Sequence, residues 1–181
     1  MNAHENTTDG TSGTRDNDTV VVVNLSDPAC IHLCVYNTAT SHIVHYETLT
    51  TPRSARHGVS AHEIANFART AVHIAVERRC PVVTDAETEK KMSRTARKKT
   101  AWRNSVFLSE LFHLCRLYDV ARRESTVPHS DTTCSRCKHE SAVTNRHKIT
   151  SCSDCGAQVD YYINTCVLVG DVVARHGGTA L

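Results

Sequence analysis

The sequence lacks any apolar run approaching the ~20 residues that a membrane-spanning helix needs, which excludes a helical integral membrane protein. Its opening stretch, MNAHENTTDGTSGTRDNDT, has neither a basic start nor an apolar segment, so no secretory signal is expected. A strong net charge is also missing. The 21 Lys and Arg against 19 Asp and Glu leave +2 with His neutral, and that total decides nothing about nucleic acid until the distribution of charge is read. There is no internal repeat. Nor is the cysteine count even: nine in 181 residues argues against a fully paired secreted scaffold. What is present is a globular composition, 40% hydrophobic and 22% charged, in a chain long enough to bury a core without disulfide staples. The expected setting is a reducing compartment, cytoplasmic or nucleoid-associated (nuclear in a eukaryote), with no membrane partner and no secretion.

Residues 1–18 are polar and rich in Gly, Thr, Asn and Asp, the composition of a disordered tail. The β-branched run TVVVVNL then predicts a buried strand from Thr19. CIHLCVYN and HIVHYETL follow, separated by the turn-like TATS, and the three read as an antiparallel meander. Ser60 is placed to cap a helix with Glu63 at the capping-box position. Ile64, Ala65, Ala68, Ala71, Val72 and Ala75 recur at helical spacing up to Arg79. CPVVTD predicts a short buried strand, residues 104–122 a second amphipathic helix, ESTV one more strand, and about Ile163 to Arg175 a last helix. HGGTAL reads as a tail. Helices alternate with strands after an opening meander, so the expected class is α/β with a mixed sheet.

Four of the cysteines form two CxxC pairs, Cys134 with Cys137 and Cys152 with Cys155, fourteen residues apart. Each pair lets two thiolates leave one tight turn for a single ion, and two such knuckles supply a tetrahedral sulfur set suited to structural Zn²⁺. Gly156 stands where a knuckle needs positive φ. One CxxC can be a redox dithiol; two at this spacing rarely are. His139 and His147, between the knuckles, are alternative ligands. Cys30, Cys34, Cys80, Cys115 and Cys166 lie in apolar contexts and read as small buried hydrophobes.

From Lys90 to Arg103 the chain carries seven cations (Lys90, Lys91, Arg94, Arg97, Lys98, Lys99, Arg103) and no acid. At helical spacing Lys90, Arg94 and Lys98 share a side, which suits a phosphate backbone; a merely solvated face is the bland alternative. Trp102 reads as a core residue opening an amphipathic helix in preference to a base-stacking one. Arg136, Lys138, Arg146 and Lys148 make the knuckle region basic as well. Here too phosphate contact and a solvated face both account for the charge.

The segment CSRCKHE through TSCSDCGAQVDYYINTC resembles the C-terminal end of insertion-sequence-associated TnpB proteins, relatives of Fanzor proteins and type V CRISPR effectors. In that family a zinc ribbon interrupts the end of a RuvC-like nuclease domain. VVVVNL is similar to the first RuvC strand, CPVVTDAE to the second acidic motif, and KKMSRTARKKTAWR to the basic stretch before the next helix. The resemblance spans roughly residues 19–175 and leaves out the family's N-terminal half. It implies a RuvC-type, RNase H-like mixed sheet over 19–128, a zinc ribbon over 129–158, a helix over 159–176 completing the RuvC-like domain, and a tail over 177–181. The implied partners are DNA or RNA, with a guide RNA or a protein subunit supplying specificity.

The family's nuclease site uses three carboxylates to hold two Mg²⁺ or Mn²⁺ ions. By the family's spacing, Asn24 replaces the first acid, Asp85 stands for the second with one methylene fewer than Glu, and Tyr162 replaces the third. A phenol is no ligand for Mg²⁺ at neutral pH. Asn164 does match the family pattern. Asp27 and Asp160 lie near the lost positions. Each is displaced along the chain and expected to point elsewhere, though Asp160 shares the face of Tyr162 if that segment is extended. Asp85 by itself also reads as a strand-end cap. The resemblance therefore implies a nucleic-acid-binding chain that has lost nuclease activity. An active endonuclease using Asp85 with Asp160 or Asp27, and a protein–protein adaptor, are the alternatives.

Overall fold

The computed structural model describes residues 18–27, 29–50, 60–85, 98–125, 127, 132–140, 143–146, 148–176 and 179–180. The first three strands, β1 (Thr19–Asn24), β2 (Cys30–Asn37) and β3 (His42–Thr50), form the expected meander, antiparallel throughout. Helix α1 (Ala61–Arg78) then crosses over to β4 (Val82–Asp85), which pairs parallel with β1. Helix α2 (Lys98–Leu117) leads to β5 (Arg122–Ser125), parallel to β4. The expected ESTV strand thus forms two residues earlier, and α2 begins six residues before the expected start at 104. A small antiparallel sheet follows, made of β6 (Val143–Arg146), β7 (Ile149–Cys152) and β8 (Gln158–Asp160). Helix α3 (Tyr161–His176) closes the main layer, and Thr179–Ala180, expected as tail, add a short edge strand β9 antiparallel to β5. The main sheet has the order β3-β2-β1-β4-β5-β9. The tail expected over 1–18 lies outside the described residues except for Asp18.

The central strand explains the layering. Every residue of β1 is buried, as expected for a strand covered on both faces. Its odd positions Val21 and Val23 pack with Ile31, Leu33, Val82 and the buried faces of α1 and α2. Its even positions Val20 and Val22 pack with Cys34, Tyr36, Val83 and the buried face of α3. The strand period of two thus divides one sequence run between two cores. On α1 the buried stripe is Ile64, Ala68, Ala71, Val72 and Ala75. The helix opens on the expected capping box: Ser60 Oγ accepts from the Glu63 N–H at 3.2 Å, and the Ser60 N–H donates to Glu63 Oε2 at 2.8 Å.

On the other face Gly170 lets α3 lie directly against Tyr36. A Cβ there would sit 2.6 Å from Tyr36 Cγ and 2.8 Å from Cε1. The same tyrosine's hydroxyl donates to Asp171 Oδ1. No described helix is long and apolar enough to cross a membrane.

Candidate functional site

The parallel strands β1 and β4 end side by side, the usual place for a ligand in an α/β sheet. Asn24 pairs with His32 on β2. Val23 pairs with Thr84, which sets Asp85 beside Asn24 one step further along. Asp85 pairs in turn with Ser125 on β5. Alternation puts His32, Asn24, Asp85 and Ser125 in one row on the α3 side of the sheet, next to Tyr162 and Cys166. The sheet therefore brings together the three positions that the family pattern assigns to acids.

Their chemistry is not that of a divalent-metal pair. Asn24 Oδ1 accepts from the Ser26 N–H at 2.8 Å and from Ser26 Oγ at 2.6 Å, an Asx turn that ends β1. The Asn24 Nδ2 is buried with no hydrogen-bond partner, a donor where a cation would need an acceptor. Tyr162 is buried, its ring stacked on His32 at 4.2 Å and 15° and edge-on to Tyr161 at 5.1 Å. Burial and the neighbouring Asp27 carboxylate hold the Tyr162 phenol protonated well above its ordinary range. Asp85, buried at the end of β4, is the one carboxylate of the three. These side chains do not fit a two-ion Mg²⁺ or Mn²⁺ site.

Of the two acids near the lost positions, one needs correction. Asp160 is the last residue of β8 and does not share a face with Tyr162, because the helix begins at Tyr161. Its Oδ1 caps α3, accepting from the N–H of Tyr162 at 2.8 Å and of Ile163 at 3.2 Å. Asp27 does not point elsewhere: the β1–β2 turn brings it under Tyr162 and leaves it 1% exposed. Burial by itself would raise the Asp27 carboxyl. The Ala29 N–H and the hydrogen bonds from Lys148 and Tyr162 more than offset this, and the pKa falls to about 2. Lys148 Nζ donates to Asp27 Oδ2 at 2.9 Å and lies 5.3 Å from the Tyr162 ring centroid. Burial pulls the His32 imidazole down towards its neutral form.

The four paired cysteines do come together. Cys134 and Cys155 have their Sγ atoms 3.7 Å apart, and so do Cys137 and Cys152. A tetrahedral Zn–S bond of ~2.3 Å gives an edge of ~3.8 Å, so the cluster has the dimensions of a zinc site. Backbone N–H groups, that of Cys155 first, hold the Cys152 thiol down at about 7. Gly156 takes φ 70° after the second knuckle. His139 stands apart from the sulfurs and pairs with Asp154 at 3.4 Å; His147 lies outside the described residues. Asn164 ties this cluster to the main layer. Its Oδ1 accepts from the Ser135 N–H at 2.8 Å and its Nδ2 donates to the Thr133 carbonyl at 3.0 Å.

The basic stretch divides. Lys90, Lys91, Arg94 and Arg97 lie outside the described residues, and Lys98 and Lys99 open α2. Arg103 is not a surface cation: it is 3% exposed, with Nη2 donating to the Asp27 carbonyl at 2.9 Å and Nε to Asn104 Oδ1 at 2.8 Å. Position 103 falls on the α2 stripe that faces the sheet, so it braces the β1–β2 turn. Trp102, expected in the core, is 50% exposed. Arg136 is exposed on the first knuckle, whereas the Lys138 ammonium is engaged by Asp171 Oδ2 and the Ser135 carbonyl. Sequence reasoning did not foresee that Asp27, Cys30 and His32 come within 4.8 Å of one another. The signal was the spacing Asp27, Cys30, His32 around a turn and into a strand.

These elements define a RuvC-type fold. No protein-family model matches the chain, and no curated protein matches it by sequence. Solved structures do match by fold. RuvC of T. thermophilus in complex with a Holliday junction substrate superposes with a TM-score of 0.57 at 12% identity, covering 90% of this chain and 99% of that one. A second Thermus thermophilus RuvC structure gives 0.52 at 7% identity with the same coverage. Cas12f1 in its complex with sgRNA and target DNA gives 0.55 at 10% identity, covering 94% of this chain and 51% of that one. The chain is thus similar in fold to RuvC along nearly its whole length and to about half of a Cas12f1 chain, in line with the TnpB-like resemblance.

Proposed function

We propose that this protein binds DNA or RNA within a nucleoprotein complex and does not cut it. In this reading residues 19–128 and 159–176 form the RuvC-like body, and residues 129–158 form a ribbon held by one structural Zn²⁺. The observation that carries it is Tyr162, whose protonated phenol stacks on His32 where the family pattern places a metal-binding acid. With Asn24 spent on its own turn, Asp85 is the only one of the three family positions that offers charge to a divalent ion, too little for two mutually repelling dications. Binding is carried by the start of α2, where Lys98 and Lys99 precede the half-exposed Trp102, and by Arg136 on the knuckle. Two lysines in the helical turn before an exposed indole suit a phosphate backbone with a stacked base. The fold relatives solved with a Holliday junction and with sgRNA and target DNA support a nucleic-acid partner. Sequence specificity comes from a guide RNA or a partner subunit.

The test incubates labelled single- and double-stranded DNA and RNA with zinc-loaded protein and Mg²⁺ or Mn²⁺, on denaturing and native gels in parallel. The expected result is a mobility shift without cleavage. Divalent-dependent cutting that disappears in Asp85→Ala would overturn the loss of activity. No shift at low salt would overturn nucleic-acid binding and leave the adaptor.

A further inference from the structure

We infer that Asp27, Cys30 and His32 form a second metal site, separate from the cysteine ribbon and adjoining the degenerate acid positions Asn24 and Tyr162, that takes one zinc-class ion in exchange for the Lys148 ammonium. The sequence builds the site locally. Cys30 and His32 are two apart on β2 and so project from the same face, and the turn before them returns Asp27 over that face. One ligand atom from each lies within 4.8 Å of the other two, and all three residues are buried. His32 Nε2 already stands 3.6 Å from Asp27 Oδ2, too far for a hydrogen bond and close to the ~3.4 Å between N and O ligands on tetrahedral zinc.

The surroundings are those of a ligand set. His32 Nε2 is buried with no hydrogen-bond partner. Its other nitrogen, Nδ1, is fixed by the Tyr46 hydroxyl at 2.6 Å and lies 3.3 Å from Thr48 Oγ1, the kind of partner that orients a metal-bound imidazole. Asp27 Oδ1 accepts from the Ala29 N–H at 2.7 Å, Oδ2 accepts from Lys148 at 2.9 Å on the side where His32 Nε2 stands 3.6 Å away, and the Tyr162 hydroxyl also bonds the carboxylate. Cys30 Sγ donates weakly to Thr50 Oγ1 at 3.9 Å and lies against the Asp27 carboxylate. A thiolate, an imidazole and a carboxylate together select zinc-like ions over Mg²⁺ or Ca²⁺, and three protein ligands leave a fourth position for water.

Charge explains why Lys148 matters. Without an ion, the Asp27 carboxylate is neutralised by the Lys148 ammonium. With a dication, the carboxylate and the Cys30 thiolate, whose proton passes to solvent, bring the sum to zero without Lys148. The lysine side chain is 54% exposed and lies over an aspartate that is 1% exposed, so it can leave for water and open the way in. Because Lys148 belongs to the segment between the knuckles, filling this site releases a contact between that segment and the main sheet.

The test uses the full chain and Zn²⁺ itself. Metal per chain is counted by native mass spectrometry after equilibration with excess Zn²⁺ and desalting, and affinity is measured by chelator competition. The expected result is two ions in the wild type and one in Cys30→Ala. In Lys148→Met the second ion is expected to bind roughly tenfold more tightly, the scale of removing one charged hydrogen bond that competes for the site. His32→Gln repeats the stoichiometry test should Cys30→Ala not fold. One ion per chain in both the wild type and Lys148→Met would overturn the inference. So would a second ion that persists in the Cys30 and His32 variants.

Discussion

Asn164 is the most direct probe of how the cysteine ribbon is tied to the sheet. Its carboxamide is fully buried and spans two backbone groups of the first knuckle, the Ser135 N–H at 2.8 Å and the Thr133 carbonyl at 3.0 Å. Asn164→Ala removes both bonds and leaves both backbone groups without this partner. At ~1 kcal/mol net per bond, with more for groups that stay buried, the expected loss is ~2–3 kcal/mol in the zinc-loaded protein. With a urea slope of ~2 kcal/mol per M, the unfolding midpoint should fall by ~1 M or more. Stripping the zinc should dissolve the knuckle that Asn164 holds, so the same substitution in zinc-free protein should cost less than ~1 kcal/mol. The assay is urea denaturation followed by circular dichroism on four samples, wild type and variant with and without zinc. Equal losses in the two zinc states would refute the reasoning, because Asn164 would then be stabilising α3 and not its joint with the ribbon.

Gly170→Ala should drive a methyl into the Tyr36 ring, where a Cβ would lie 2.6 Å from Cγ, and lower stability by ~1–3 kcal/mol; a thermal melt unchanged from wild type would contradict the packing. Tyr36 gives an alkaline signature. Burial and the Asp171 carboxylate push its phenol from 10.0 up to about 12, so its contribution is complete below pH 10 and lost as pH rises through about 12. The urea-midpoint gap between wild type and Tyr36→Phe should therefore close over that interval, and a gap unchanged between pH 8 and pH 11 would count against it. Lys98→Ala combined with Lys99→Ala should weaken nucleic-acid binding and flatten its log–log salt slope by ~2, at ~0.9 per phosphate contact. Arg103→Met, which removes a buried donor to the Asp27 carbonyl, should lower stability yet leave that slope unchanged; fluorescence anisotropy across a salt series separates the two.

Features governed by local spacing were legible in the chain. CxxC places two thiolates on one turn whatever surrounds it, so the ligand set was readable from Cys134, Cys137, Cys152 and Cys155. The run of valines in β1, the Ser60–Glu63 box and the alanine stripe of α1 likewise follow from periods of two and 3.6. The order of these elements was enough to suggest the RuvC-type sheet, and the substitutions Asn24 and Tyr162 could be read against the family's acidic pattern.

What the chain could not show by itself was where a side chain goes once helix phase and turn path are fixed. Arg103 sits in a run of cations, but α2 turns it inward onto the Asp27 carbonyl, while Trp102 beside it is left half exposed. Asp160 was free to be a ligand until the start of α3 at Tyr161 made it a cap. Asp27 looked displaced until the β1–β2 turn carried it beneath Tyr162, next to Cys30 and His32. Lys148 is 121 positions from Asp27, and no local pattern pairs them. Spacing determines which groups one turn or one strand can present together. Only the packed sheet determines which distant charges share a buried space, because that depends on the sum of every crossover between them.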